Sequence, residues 1–138
     1  MTIDADVVRG RCGEIEQALE RLTRIRASGR EVFLADADVR DIACYRLLLA
    51  IEAALALCYH VSARRLKRVP EDYAGCFAVL SQAGIIPDDL STCLQQMARF
   101  RNPLVHVYWE VDYGRVFDVL ESNLDDLRAF SRAVANLL

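Results

Sequence analysis

The sequence predicts an all-α protein, an up-and-down bundle of about five helices. Apolar residues recur at intervals of three and four along the chain, and no segment shows the alternation typical of a β-strand. The chain has 138 residues, of which 54% are hydrophobic, which suits one domain with a sizeable core. We therefore expect residues 1–138 to form a single helical domain with short connections.

The first predicted helix covers about residues 4–27. Its apolar positions are four, three, four and three residues apart, so they form one stripe, made of Val8, Cys12, Ile15, Leu19 and Leu22. Ser28 and Gly29 end the helix. This stripe predicts that one face of the helix packs on the core.

The second predicted helix is the longest and begins near the aspartates of "DADVRD", residues 36–41, which suit a first turn. It extends to about Lys67 and is apolar on nearly all sides between Ile42 and Leu57, so we expect it to be the central helix. At about 1.5 Å per residue it would span roughly 40 Å. Its far end is therefore expected to project past the core, where it can serve a partner.

Three further helices complete the predicted bundle. The third is entered through Pro70 and closed by Gly84, and the fourth has Pro87 near its first turn. The repeat of the fourth helix is formed by Leu90, Leu94, Met97, Arg101 and Leu104. The fifth starts near Asp112, a candidate N-cap. Its predicted inner face consists of Phe117, Leu120, Leu124, Leu127, Val134 and Leu138.

Charge limits the classes of function. The net charge of -3 argues against broad electrostatic binding of nucleic acid, so an RNA substrate would require a local basic patch. The run "ARRLKR", residues 63–68, supplies the cations Arg64, Arg65, Lys67 and Arg68. Such cations also suit the solvated carboxyl end of a helix. Both interpretations, RNA contact and a solvated helix end, remain open.

Cysteines and histidines indicate neither a disulfide framework nor a metal site. The five cysteines are scattered singly, and His60 and His106 are the two histidines, so no cluster has metal-ligand spacing. We expect reduced cysteines, no metal and no cofactor. His60 lies in the central helix and is interpreted as structural.

The amino-terminal segment lacks the pattern of a signal peptide, because "MTIDADVVRG" is acidic where a positive region is needed. The most apolar stretch, residues 47–61, contains Glu52 and is too short and too interrupted to cross a bilayer. We expect a cytoplasmic protein that does not enter a membrane.

The segment "RNPLVHVYW", residues 101–109, concentrates polar chemistry at a helix break. Pro103 requires a break or kink, and Asn102 before it is a suitable cap. In an uninterrupted helix, His106 would lie about 140° from Arg101, whereas Tyr108 would return beneath Arg101. A break or kink can bring all three polar groups together.

These side chains suit metal-free cleavage of RNA. An imidazole has a pKa near 6.5 and can move protons at neutral pH, and a guanidinium can bind a phosphate with two parallel hydrogen bonds. RNA carries its own nucleophile in the 2′-hydroxyl, so a protein need only assist proton transfer and stabilise developing charge. One His106 and one Arg101 are few groups for this task, and a symmetric dimer would double them.

At these residues the sequence resembles a known family. "RNPLVH" followed by "VY" is similar to the Arg, four residues, His, one residue, Tyr signature of HepT-like toxins of the HEPN superfamily, which are helical ribonucleases. Flanking blocks resemble the family in order and spacing: "FLADADVRD", "AIEAALALCYH", "PEDYAGCFAVLSQAGIIPDDL", "MARFRNPLVHVYWEVD" and "NLDDLRAF". The resemblance extends over nearly the whole chain.

The resemblance implies a toxin of a toxin–antitoxin system, active as a homodimer with the signature at the cleft between subunits. It implies metal-independent RNA cleavage that leaves a 2′,3′-cyclic phosphate. It also implies a partner, a minimal nucleotidyltransferase antitoxin that attaches AMP to the signature tyrosine. By position, Arg101 and His106 would be the catalytic pair, Asn102 a supporting polar residue and Tyr108 the modified hydroxyl.

A second hypothesis treats the same pocket as a non-catalytic module that holds a nucleotide or docks the nucleotidyltransferase. The acidic net charge favours this module, because a nuclease that binds RNA freely would gain from a positive surface. The intact Arg101 and His106 favour the nuclease. Trp109 is interpreted as a core or interface aromatic residue.

Overall fold

The computed structural model of the chain describes residues 2–106 and 111–138. Helices account for all the regular structure in these residues, which confirms the predicted all-α class. The described helices, in chain order, are α1 (Ala5–Ser28), α2 (Arg30–Ala35), α3 (Ala37–Arg64), α4 (Tyr73–Gln82), α5 (Asp88–Ala98), α6 (Arg101–Val105), α7 (Tyr113–Ser122) and α8 (Leu124–Ala135).

These helices refine the five predicted segments. The first three predicted helices correspond to α1, α3 and α4, the fourth is divided into α5 and α6, and the fifth is divided into α7 and α8. The short helix α2 was not predicted, because six residues are too few to display a helical repeat. Its Phe33 is fully buried and packs against Phe117 of α7, with 5.2 Å between ring centroids.

Local sequence signals set several helix ends. Asp4 and Asp36 cap α1 and α3, where each side chain accepts hydrogen bonds from two backbone N–H groups of the first turn. Asp112 caps α7 in the same manner, as predicted, by accepting from the N–H of Arg115. The central helix α3 ends at Arg64, earlier than the predicted Lys67, because Lys67 adopts a left-handed backbone with φ of 54°.

The fifth predicted helix is interrupted at Asn123, which still donates its N–H to the carbonyl of Val119 at 2.8 Å but leaves the helical backbone, with φ of -122° and ψ of 0°. The inner face continues across this break, since Phe117, Leu120, Leu124, Leu127 and Val134 are all buried. The prediction for Leu138 was wrong: it follows the end of α8 and is 53% exposed.

Helix α3 is the centre of the bundle, as predicted. It packs along α1 and also contacts α4, α6 and α8. By length and composition alone, α3 is apolar enough to cross a membrane, yet half of its most apolar window is buried inside the bundle. Its buried side chains extend from Ala43 to Ser62, so burial in the core accounts for its apolar composition.

The prediction that all cysteines are reduced was wrong for one pair. The fully buried Cys58 of α3 and Cys76 of α4 form a disulfide, with their Cα atoms 6.0 Å apart. Spacing did not reveal this pair, because it depends on how α4 folds back against α3. The other three cysteines, Cys12, Cys44 and Cys93, are unpaired and half-buried.

Candidate active site

The signature begins at a break between α5 and α6. Helix α5 ends at Ala98, and a turn through Arg99 and Phe100 leads into α6, which starts at Arg101. Asn102 is not the cap that the sequence suggested, since Phe100 occupies the N-cap position and Pro103 is the third residue of α6. A proline is tolerated there because N–H groups of the first turn have no acceptor within the helix.

Arg101 is held by two other helices. Its Nε donates a hydrogen bond to Oε1 of Glu52 on α3, and the two side chains form an ion pair. The guanidinium carbon lies 4.8 Å from the ring centroid of Tyr73, the first residue of α4. The Arg101 side chain is 25% exposed, so the group is oriented by its contacts and still reaches solvent.

Glu52 and Tyr73 belong to this site although neither was predicted as a site residue. The signal for Glu52 was available, since it is the acidic residue within the apolar stretch 47–61. No comparable signal distinguished Tyr73, whose contact with Arg101 depends on the fold of α4. The ring of Tyr73 also meets Tyr59 of α3 edge to face, with 6.4 Å between centroids.

His106 lies at the carboxyl end of α6, where its backbone N–H donates to the carbonyl of Asn102 at 3.0 Å. The structure therefore places Arg101 and His106 at opposite ends of one short helix. With about 1.5 Å of rise per residue, their backbones are roughly 7.5 Å apart along the axis. Both residues are half-buried, whereas Asn102 is exposed. Because the break comes before Arg101, α6 is continuous between them, and their side chains start about 140° apart around its axis; the predicted convergence of the two groups through a break is therefore not seen within one subunit.

The remaining predicted site residue of the signature, Tyr108, lies outside the described residues, as does Trp109. Among the residues that the structure describes, no group of three or more His, Cys, Asp or Glu side chains could hold a metal ion.

The predicted RNA-binding cations follow α3 beyond the site. Arg64, Arg65, Lys67 and Arg68 are all exposed. Arg68 donates a hydrogen bond to Gln82 of α4 at 3.2 Å. The helix rise places Arg64 roughly 18 Å along α3 from Glu52. The fold thus puts these cations at and just beyond the end of α3.

Comparison with known proteins identifies the family of the chain. The family model described as Ribonuclease HepT-like matches residues 15–134. The mRNA nuclease HepT of Shewanella oneidensis is 25% identical over 125 residues, which cover 91% of this chain and 93% of that protein.

Solved structures show the same fold. A tri-AMPylated Shewanella oneidensis HEPN toxin in complex with an MNT antitoxin superposes with a TM-score of 0.86 at 24% identity, over 95% of this chain and 98% of that one. A toxin–antitoxin structure with AMP-PNP has a TM-score of 0.84 at 22% identity, over 94% and 96% of the two chains. The family model covers most of the chain, so the protein belongs to the Ribonuclease HepT-like family.

Proposed function

We propose that residues 1–138 act as a single-domain endoribonuclease toxin whose catalytic pair is Arg101 and His106. The observation that carries the proposal is the placement of these two residues at the ends of α6, with Arg101 oriented by Glu52, in a chain of the Ribonuclease HepT-like family. The similar mRNA nuclease HepT supports RNA as the substrate class.

The chemistry follows from the two side chains. His106 takes the proton of a ribose 2′-hydroxyl, whose oxygen forms a bond to the adjacent phosphorus. The bond from phosphorus to the 5′-oxygen breaks, a proton is delivered to that oxygen, and a 2′,3′-cyclic phosphate remains. Arg101 stabilises the charge that develops on the phosphate oxygens, and exposed Asn102 supports the same phosphate. No metal or cofactor takes part in this scheme.

A homodimer is proposed because it supplies the second proton-transfer group. One His106 can act as base while the other protonates the leaving oxygen. The surface beside α6 suits a second copy of the chain. Ile42 and Tyr45 on α3 are 47% and 58% exposed, and Val105 on α6 is 39% exposed. Burial of these apolar side chains against a partner subunit would stabilise the dimer and place two signatures at one cleft.

The proposed antitoxin is a minimal nucleotidyltransferase that transfers AMP from ATP to the hydroxyl of Tyr108 and releases pyrophosphate. The structurally similar HEPN toxin is tri-AMPylated and bound to an MNT antitoxin, which supports this partner. A phosphodiester and an adenine at Tyr108 would oppose RNA entry through charge and bulk.

Two further elements of the proposal concern RNA contact outside the active site and the location of the protein in the cell. The exposed cations Arg64, Arg65, Lys67 and Arg68 would contact the RNA backbone away from the cleavage point. We also propose a cytoplasmic protein that does not enter a membrane, which is supported by the burial of the apolar helix α3 in the core.

A second candidate function is a non-catalytic module that holds a nucleotide or docks the nucleotidyltransferase. The ion pair between Arg101 and Glu52 favours the docking form of this module, because the carboxylate offsets part of the charge that would bind a phosphate. An experiment that distinguishes the two functions is to incubate the purified protein with cellular RNA and to map the new RNA ends. New 2′,3′-cyclic phosphate ends support the nuclease, whereas RNA or nucleotide binding without new ends supports the module.

A further inference from the structure

We propose that Glu52 and Tyr73 are positioning residues that hold the Arg101 guanidinium in the orientation needed for RNA cleavage. This inference rests on the proposed function and extends it to two residues outside the signature. Three different helices meet at this point, since Glu52 belongs to α3, Tyr73 to α4 and Arg101 to α6.

The hydrogen bond from Arg101 to Glu52 uses Nε, the nitrogen nearest the chain. Within residues 2–106 and 111–138, neither terminal nitrogen of this guanidinium donates a hydrogen bond. A guanidinium has five N–H donors in a fixed plane, so the bond at Nε leaves the two terminal nitrogens for a phosphate. Glu52 thereby sets the direction in which those donors point.

Tyr73 restricts the remaining freedom of Arg101, namely rotation of the guanidinium plane. The guanidinium carbon lies over the Tyr73 ring at 4.8 Å, a distance typical of a cation–π contact. Tyr73 is itself braced by the edge-to-face contact with Tyr59. The hydrogen bond and the ring together fix both the direction and the plane of the catalytic group before substrate binds.

The negative charge of Glu52 has a second consequence, which distinguishes positioning from simple substrate binding. A carboxylate beside Arg101 opposes the binding of an anionic phosphate. Replacing Glu52 by Gln removes that opposition and loosens the guanidinium. The Glu52→Gln protein should therefore bind RNA as tightly as the wild type or more tightly, yet cleave it more slowly.

The first test is kinetic and uses an RNA oligonucleotide with the full-length protein. We expect Glu52→Gln to lower kcat roughly 10- to 100-fold, the scale of a slightly misplaced catalytic group, with KM unchanged or reduced. Tyr73→Leu should also lower kcat, and Tyr73→Phe, which keeps the ring, should lose less. The matched control is Glu14→Gln, which removes a carboxylate paired with Arg11 on α1 and should leave both constants unchanged.

The second test does not depend on cleavage. In a protein labelled with ¹⁵N-arginine, the Nε–Hε signal of Arg101 is assigned by its loss in Arg101→Lys. We expect this signal to move in Glu52→Gln and to stay in place in Glu14→Gln. An unmoved signal overturns the positioning of Arg101 by Glu52, whatever the activity.

The two tests separate the possible failures. If the wild type cleaves RNA and Glu52→Gln cleaves it with an unchanged kcat, the positioning role is wrong although the ribonuclease assignment stands. If Glu52→Gln loses activity and also unfolds at a much lower temperature than the wild type, Glu52 is a structural residue and the proposal is overturned. If the wild type cleaves no RNA, the proposed function fails, and a role for Glu52 in catalysis fails with it.

Discussion

The Nε2 atom of His60 accepts a hydrogen bond from the backbone N–H of Asp4 at 3.0 Å, which ties the start of α1 to the end region of α3. The contact supplies an acceptor for a backbone N–H at the start of α1, which is a structural role for His60. The interpretation of His60 as structural agrees with this contact. His106 is the histidine that remains in the signature, next to the helix that carries Arg101.

Arg101→Lys tests the need for a planar guanidinium. Lysine keeps the positive charge but has neither an Nε donor for Glu52 nor a fork that binds a phosphate with two bonds. We expect kcat/KM for RNA cleavage to fall by roughly 10²-fold or more, on the scale of a lost transition-state donor. Circular dichroism should show an unchanged helical signal. Undiminished cleavage by a folded Arg101→Lys protein would reduce Arg101 to a structural role.

Ile42→Asp tests the proposed dimer surface. Ile42 is 47% exposed on α3, so the isolated subunit should tolerate the change, whereas a buried charge in a dimer interface would be costly. We expect light scattering to report monomers and RNA cleavage to be lost. Val7→Asp is the control, since Val7 is 38% exposed on α1, away from the signature. A monomeric wild type with full activity would contradict the shared cleft.

Tyr108→Phe tests the proposed modification. Without the phenolic hydroxyl there is no acceptor for AMP at this position, so the variant should remain toxic when the cognate nucleotidyltransferase is present. Mass spectrometry of the wild type after incubation with partner and ATP should locate one or more AMP units on Tyr108. Full neutralisation of an active Tyr108→Phe protein, or AMP on another residue alone, would rule out Tyr108 as the control point.

Chelation tests the absence of a metal from the reaction. Since proton transfer and charge stabilisation are assigned to His106 and Arg101, cleavage should continue at an unchanged rate in excess EDTA. The rate should also fall with rising salt, because RNA binding releases counterions. Activity that disappears in EDTA and returns with added Mg²⁺ would show that a divalent ion has a catalytic role.

Local signals in the sequence predicted much of the scaffold. The apolar stripe of α1, the aspartates at the start of α3 and the cap at Asp112 lie where the pattern placed them, because helix periods and capping side chains act over only a few residues. The break near Pro103 was also predicted, but it falls before Arg101 instead of at Asn102. The sequence does not specify which residue starts the new turn, since a proline is tolerated at several first-turn positions.

The parts that were missed depend on contacts between distant residues. Glu52 and Arg101 are 49 residues apart, and they meet only because α3 and α6 pack together. The Cys58–Cys76 disulfide likewise depends on the packing of α4 against α3. No periodicity encodes such pairs, so the signature residues could be proposed from the sequence while the residues that hold Arg101 required the fold.

The most direct test of the central claim compares His106→Ala with His60→Ala, each expressed without the antitoxin while growth and the ends of cellular RNAs are followed. A positioned general acid or base contributes about 10²- to 10⁴-fold, so His106→Ala should lose toxicity and RNA cleavage and keep its helical fold. His60→Ala loses the bond to Asp4, worth about 1 kcal/mol, and should remain toxic with a slightly lower Tm. A folded His106→Ala protein that still cleaves RNA as the wild type does would contradict the account.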